Sequence, residues 1–336
     1  VFDYVSKLNT PVCLDANKVT FKLYNTIPDG CRIIDMPSPA DLMKSIKNDT
    51  EVQGIRNAME RDGVALVHFF MWLEKAVPGG NVTEIMIPEK LVEYRSQQKN
   101  FVGESFDTIS GYGPNGAIVH YHVSNESSLP VKPEGLLLVD SGAQYFDGTT
   151  DITRTLAVGP LTDQMKKDYT MVLKGHINLA TAIYPQGTRG SQLDILARKA
   201  LWDEGLNYLH GTGHGIGHFL NVHEGPQNIR MNENPTTLQP GMVTSNEPGL
   251  YRAGQYGIRI ENLIRTKHEM TTEFGDFYSF ETLTLCPIDT TPIVKEMLTE
   301  KEIIWLNEYH KFVYDRLSPL LTEDEKQWLK EKTHEI

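Results

Sequence analysis

Two stretches far apart in the chain, 136–151 and 245–261, each deliver two candidate carboxylates on strand-like frames, Asp140 and Asp151 from the first and Glu247 and Glu261 from the second, and between them lies the run Gly213-His214-Gly215-Ile216-Gly217. Together they supply Asp140, Asp151, His214, Glu247 and Glu261, four carboxylates and one imidazole. Four carboxylates brought close together repel, and burying them unpaired costs many kcal/mol. Something cationic must neutralise them, yet Arg154, Arg252 and Arg259 are the basic residues in or beside these segments. Two divalent ions would balance four negative charges. Oxygen-rich ligands with one imidazole suit hard or borderline ions such as Mn²⁺, Co²⁺, Fe²⁺ or Zn²⁺ rather than a thiolate-type site.

Any one of these acids alone reads equally well as a turn or strand-end residue on a solvated rim. Their setting argues otherwise. Asp140 ends the apolar run Leu136-Leu137-Leu138-Val139, and Glu261 follows Ile258-Arg259-Ile260 in an alternation that continues to Leu263, so both acids fall at buried strand positions. The glycines around His214 fit a backbone pressed close to metal or substrate rather than a helix. Paired ions at such a site would lower the pKa of a shared water for attack on an amide carbonyl. Glu247, in reach of that water, is the candidate general base and later proton donor. Arg259 is placed to orient Glu261, and Thr153 to hydrogen-bond a ligand carboxylate. Tyr145 and Tyr256 read as packing residues.

The rest of the chain must position these groups. Residues 1–37 mix strand-like pieces such as 19–24 with the turn Pro28-Asp29-Gly30 and do not make a complete domain. Helical periodicity then takes over: Thr50 and Gln53 read as a capping box ahead of Val52, Ile55, Met59, Leu66, Phe70, Leu73 and Val77. Pro78-Gly79-Gly80 ends that helix. A second helix is expected over 89–98, strands over 106–110 and 117–121, and amphipathic helices over 162–183 and 191–202. Later residues alternate as antiparallel sheet through Leu285, and 299–335 reads as helix rich in apolar and aromatic residues such as Trp305, Tyr309 and Trp328. The order argues α+β with two similar halves, each donating ligands.

A chain of 336 residues with 40% hydrophobic content suits one principal globular domain with extra material. Thirty-two Lys and Arg stand against 44 Asp and Glu, a net charge of -12, and no long basic stretch exists to bind nucleic acid or anionic lipid. No apolar run is long enough for a membrane span and no basic-then-apolar leader opens the chain. Cys13, Cys31 and Cys286 are odd in number and lack metal spacing, which predicts buried free thiols in a reducing compartment. A cytoplasmic location is expected.

The strings His210-Gly211-Thr212-Gly213-His214-Gly215-Ile216-Gly217, Phe219-Leu220-Asn221-Val222-His223-Glu224-Gly225-Pro226, Asp147-Gly148-Thr149-Thr150-Asp151 and Gly257-Ile258-Arg259-Ile260-Glu261-Asn262 resemble the cytosolic-type aminopeptidase P enzymes, the Xaa-Pro aminopeptidases of the creatinase and methionine aminopeptidase fold family. The resemblance runs over nearly the whole sequence. It implies the pita-bread α+β fold, two metal ions held by Asp140, Asp151, His214, Glu247 and Glu261, and Mn²⁺ as the first expectation with Zn²⁺ or Co²⁺ as alternatives. It implies catalysis by Glu247 with His120 and His223, and substrate binding by His120, His210 and His223. His122 and His218 receive no such support, and His218 stands where relatives often carry Ser. His68, His176, His268, His310 and His334 are expected to be ordinary core or surface residues.

The implied substrates are peptides with proline in second position, cleaved before the proline. An Xaa-Pro dipeptidase (prolidase) shares the metal set and is the nearest rival. Methionine aminopeptidase fits His120, His210 and the 221–226 string less well, and a non-catalytic pita-bread peptide-binding module fits five intact ligands less well. The family's architecture implies that 1–37 ends a preceding N-terminal domain, that 38–290 is the catalytic domain, and that 291–336 is a helical extension. It also implies a homodimer of the full-length protein. The absence of Met at Val1 points to a fragment.

Overall fold

A computed structural model describes residues Val1–Ile336. Its first 45 residues form short pieces, with Val12–Leu14 paired in parallel to Ile33–Asp35. The main body opens with α1 (Asp49–Ala76) and α2 (Met86–Ser96). The capping box of α1 is Asn48 and Glu51, two residues earlier than expected: Glu51 N–H donates to Asn48 Oδ1 at 3.0 Å and Asn48 N–H to Glu51 Oε2 at 2.9 Å. Both pairs satisfy the sequence pattern, and the first one the chain meets is the one used. The helix stops as expected, through a tight turn over Val77–Gly79 with Gly80 at φ 71°. The second helix begins before the expected position because Pro88 lies in its first turn, where no backbone bond is lost.

Strand β1 (Ile109–Tyr112) pairs antiparallel with β2 (Leu136–Ser141), which pairs on its other side with β3 (Ile152–Ala157). All of β2 is buried, which explains its unbroken apolar run. The expected strand over 117–121 does not form. Gly113–Ala117 is a short 3-10 turn and the chain to Tyr121 is irregular, because Pro114 supplies no N–H and Tyr121 N–H bonds back to Ile118 O. Gly257 explains why this turn sits where it does: a Cβ there would stand 1.7 Å from Gly116 O, so the two backbones meet without side chains between them.

The second half repeats the plan. Helices α3 (Asp163–Ala180) and α4 (Gly190–Trp202) precede the short pair β4 (Gly213–His214) and β5 (Asn228–Ile229). Next come β6 (Val243–Asn246), the hairpin β7 (Gly249–Arg252) and β8 (Tyr256–Arg259), and the long strands β9 (Asn262–Thr272) and β10 (Gly275–Thr282). The expected antiparallel sheet is therefore present. The C-terminal helical stretch is two helices, α5 (Glu300–Leu317) and α6 (Glu323–Lys332), parted by a turn at Ser318–Leu320. No helix is long and apolar enough to cross a membrane.

One core joins the halves: Ile55 and Met59 of α1, Tyr169 and Val172 of α3, Val243, Ile258 and Leu263 of the sheets, and Leu306 and Val313 of α5 belong to the same buried cluster. Beside it, Arg95 of α2 makes a two-pronged ion pair with Asp62 of α1, at 2.8 and 3.1 Å, and also donates to Gly142 O just beyond β2. Tyr145 Oη donates to the same Asp62. Both charged groups are buried, so removing the acid strands a cation in the interior. Asp62→Ala is expected to cost about 3–5 kcal/mol in urea unfolding, against under about 0.5 kcal/mol for an exposed control such as Asp324→Ala.

Candidate metal centre

The two halves meet at a cavity lined by all five expected ligands, Asp140, Asp151, His214, Glu247 and Glu261, together with His120, His210, His223 and Arg259. Asp140 projects from β2, opposite Ile109 on one neighbour and Thr153 on the other. Asp151 precedes β3, His214 ends β4, Glu247 follows β6, and Glu261 lies between β8 and β9 rather than within a strand. Asp140, Asp151 and Glu261 are buried as the apolar pattern implies. Donor atoms of Asp151, His214 and Glu261 all lie within 4.8 Å of one another. His214 Nε2 is 3.3 Å from Asp151 Oδ2 and 3.6 Å from Glu247 Oε1.

The glycines of the His214 run are explained by neighbouring backbone rather than by metal or substrate. A Cβ on Gly213 would stand 2.1 Å from Ser245 O, and one on Gly215 2.0 Å from Glu224 O. Close approach of β4 to β6 is what brings His214 beside Glu247. Arg259 also differs from expectation. Its guanidinium donates to Asp140 Oδ2 at 2.6 Å, to Tyr251 Oη at 2.6 Å and to Thr153 Oγ1 at 3.2 Å. It reaches Glu261 only through Thr153, whose hydroxyl donates to Glu261 Oε2 at 2.7 Å. Thr153 thus does what the sequence suggested, while Arg259 serves Asp140 first.

The electrostatics describe a site short of positive charge. Burial, eased by the His214 hydrogen bond but reinforced by Asp140, raises Asp151 to about 6. Burial likewise raises Glu247 to about 7, against the opposing pull of His214 and Arg259. Burial together with the charges of Asp151, Glu247 and Asp140 raises Glu261 well above the carboxylate range. Burial disfavours the charged form of His214, but Asp151 and Glu247 outweigh it and push the imidazole up to about 9. Asp140 Oδ1 is buried without any partner. An orphaned carboxylate oxygen beside three acids held partly neutral fits divalent metal, which satisfies such oxygens and supplies the missing charge.

The three further histidines expected at the site line the same cavity. His223 stands edge-on to His214 with ring centroids 4.2 Å apart, and His120 is exposed on the wall. His210 is mostly buried, with Nδ1 against Gly211 O at 2.8 Å and Nε2 against Tyr251 Oη at 2.9 Å. Burial and then Arg259 push it down to about 3, so the ring is neutral. With Nδ1 donating to Gly211, its Nε2 accepts from Tyr251, which in turn accepts from Arg259. His122 and His218 stand outside the cavity, and His68, His268 and His334 make surface or half-buried contacts.

Tyr251 and His176 were not singled out from sequence. Tyr251 lies four residues after Glu247, a spacing that by itself signals nothing. His176 on α3 is fully buried, with Nδ1 3.1 Å from Asn246 O and Nε2 3.1 Å from Asn262 Nδ2, the residues adjoining Glu247 and Glu261. Burial pushes it down to about 3. It is a core histidine, as expected, but the core it belongs to is the underside of the site. The cysteines depart from expectation: all are free, yet only Cys286 is buried, Cys31 is half-buried and Cys13 exposed, because the first residues form no core of their own.

Known proteins share this fold. The X-prolyl aminopeptidase from Caenorhabditis elegans, described as a cytosolic enzyme with a di-nuclear active site, superposes with a TM-score of 0.92 at 40% identity over 100% of this chain and 57% of its own. An Xaa-Pro dipeptidase from Bacillus anthracis superposes with a TM-score of 0.72 at 26% identity, covering 86% of this chain and 77% of its own. A probable Xaa-Pro aminopeptidase P from Paracoccidioides brasiliensis is 46% identical over 330 residues, 96% of this chain and 54% of the relative. The fold is that of a metallopeptidase. The chain belongs to metallopeptidase family M24, whose pattern matches residues 53–268, with the C-terminal region of peptidase M24 matching 276–336. Its α+β architecture is the pita-bread fold. The chain spans about half the length of aminopeptidase relatives such as these.

Raised acids stabilise the metal-free fold below their unfolded pKa values and lose that contribution as pH rises through about 6 for Asp151 and about 7 for Glu247. His214 acts in the same direction: its raised pKa gives stability that is complete below 6.5 and lost as pH rises through about 9. Melting of the metal-free chain should therefore fall between about pH 5 and about pH 8, and fall less in Glu247→Gln. Mn²⁺ at about 100 times its Kd should restore about 2.7 kcal/mol at the higher pH, read as a rise in Tm.

Proposed function

We propose that this chain carries the active site of a metallo-aminopeptidase that hydrolyses the bond between an N-terminal residue and a following proline. The observation that carries the reading is the convergence of Asp140, Asp151, His214, Glu247 and Glu261 with three further histidines in one cavity. Two divalent ions held by those five residues, Mn²⁺ first with Zn²⁺ or Co²⁺ as alternatives, would activate water and polarise the scissile carbonyl at neutral pH. Proline specificity is supported by the names of the similar aminopeptidases, not by any contact on this chain.

Within that frame the side chains divide the work. The Glu247 carboxylate, within reach of the water that the ions would activate, takes a proton from it and returns it to the departing proline nitrogen. His120 and His223, open to the cavity, donate to the oxygen on which charge develops. His210, held neutral and fixed between Gly211 and Tyr251, lines the pocket that receives substrate. Arg259 keeps Asp140 and, through Thr153, Glu261 in place. The full-length protein is proposed to act as a cytoplasmic homodimer, its location following the cytosolic description of the nematode enzyme.

A dipeptidase restricted to Xaa-Pro is the second reading, favoured by the likeness to the bacterial dipeptidase. Comparing an Xaa-Pro-Xaa tripeptide with the Xaa-Pro dipeptide on Mn²⁺-loaded protein separates the two. The tripeptide should be cleaved with the higher kcat/KM, and Glu247→Gln should lower kcat about 10²- to 10⁴-fold. Faster turnover of the dipeptide would replace the aminopeptidase reading with the dipeptidase one.

A further inference from the structure

Glu84 is a fully buried carboxylate that no step above uses. Five hydrogen bonds reach it. Tyr112 N–H donates to Oε1 at 2.6 Å and Leu129 N–H to Oε2 at 2.7 Å. The Asn115 amide spans both oxygens at 3.2 and 2.9 Å, and Tyr121 Oη stands 3.0 Å from Oε2. Every partner is a neutral donor. A buried carboxylate lacking a cation is tolerated only when its lone pairs are fully satisfied, and the start of α2 two residues on adds a favourable dipole. An apolar side chain in its place would leave these donors without an acceptor, so the acid is explained by what it orders.

What it orders is the loop over 113–128. Between those positions only Gly116 and Tyr121 are buried, so the loop has almost no apolar anchor of its own. Glu84 binds the residue before it, Tyr112, and the residue after it, Leu129, and takes two side chains from within. The free wall of this loop, Val119 and His120, lines the metal cavity. Tyr121, the residue next to His120, is tied to Glu84 and to Ser127 O at 3.0 Å. We propose that Glu84 is a positioning residue for His120, acting through this loop. The assignment rests on the reading of His120 as a substrate contact.

The test is a double-mutant cycle on the Mn²⁺-loaded full chain with an Xaa-Pro-Xaa tripeptide. Glu84→Gln turns an acceptor into an NH₂ facing donors and should lower kcat/KM about tenfold or more, while in a His120→Ala background the same change should have almost no effect. An equal loss with and without His120 overturns the proposal, as does no loss in either. Tyr121→Phe, which deletes one donor and keeps the ring, serves the same cycle if Glu84→Gln does not fold. Should the unaltered chain cleave nothing, the aminopeptidase reading fails, and histidine ring NMR decides on Glu84 separately. His120 signals that shift or broaden in Glu84→Gln while those of His210 and His214 hold support the proposal, and unchanged His120 signals overturn it.

Discussion

From one guanidinium, Arg259 donates to Asp140, Tyr251 and Thr153, and it is the permanent positive charge among four acids brought together at the seam of the molecule. Much of the surrounding architecture can be traced to holding that group still. Strand β8 carries it with 2% exposure, and β8 sits close to the 113–117 turn because Gly257 and Gly116 offer no side chains to part them. Tyr251 on the partner strand β7 passes the constraint to His210, so a histidine lining the cavity is aligned by the same cation that holds Asp140.

A second buried arginine supports the site from behind. Arg154 donates to Glu261 O and Asn262 Oδ1, and also to Pro287 O, Cys286 O and Tyr309 Oη. Tyr309 belongs to α5, and Trp305 one turn earlier packs against His176, which spans Asn246 and Asn262. The C-terminal helices are therefore part of the scaffold that sets Glu247 and Glu261. They touch no ligand directly, yet their aromatic side chains close the polar network under both acids, where an unpaired amide or imidazole would be costly.

The convergence of the candidate residues was legible in the sequence because they sit at positions that local pattern marks: acids ending or interrupting apolar strands, and a histidine among glycines. Asp140 after four aliphatic residues is readable without any fold. The long helices were equally legible from periodicity, and their boundaries slipped where two capping patterns overlapped, at Asn48 and Thr50, where Pro88 hid a first turn, and at C-terminal ends such as Ala180 and the turn at Ser318–Leu320. What local pattern does not encode is partnership across distance. Nothing near Arg259 says that its strongest bond is to Asp140, 119 positions away in the chain, nor that His176 lies under Asn246 and Asn262. The 117–121 segment reads as a strand because Ile118, Val119 and Tyr121 have strand-forming side chains. Its actual path is set by Glu84 and by contact with Gly257, which no window on the sequence contains.

The division of the ligands between the halves has a kinetic side. Asp140 and Asp151 come from the first half, while His214, Glu247 and Glu261 come from the second. Neither half offers more than a fragment of the proposed donor set, so high-affinity uptake of an ion would wait until the halves have docked, and a bound ion would then clasp them together. Release would be correspondingly slow to the extent that the seam must open first. On the proposed reading, occupancy of the centre would be a record of completed assembly: a chain whose halves have come together wrongly would have no pair of strands from which to load metal, and so would stay chemically silent.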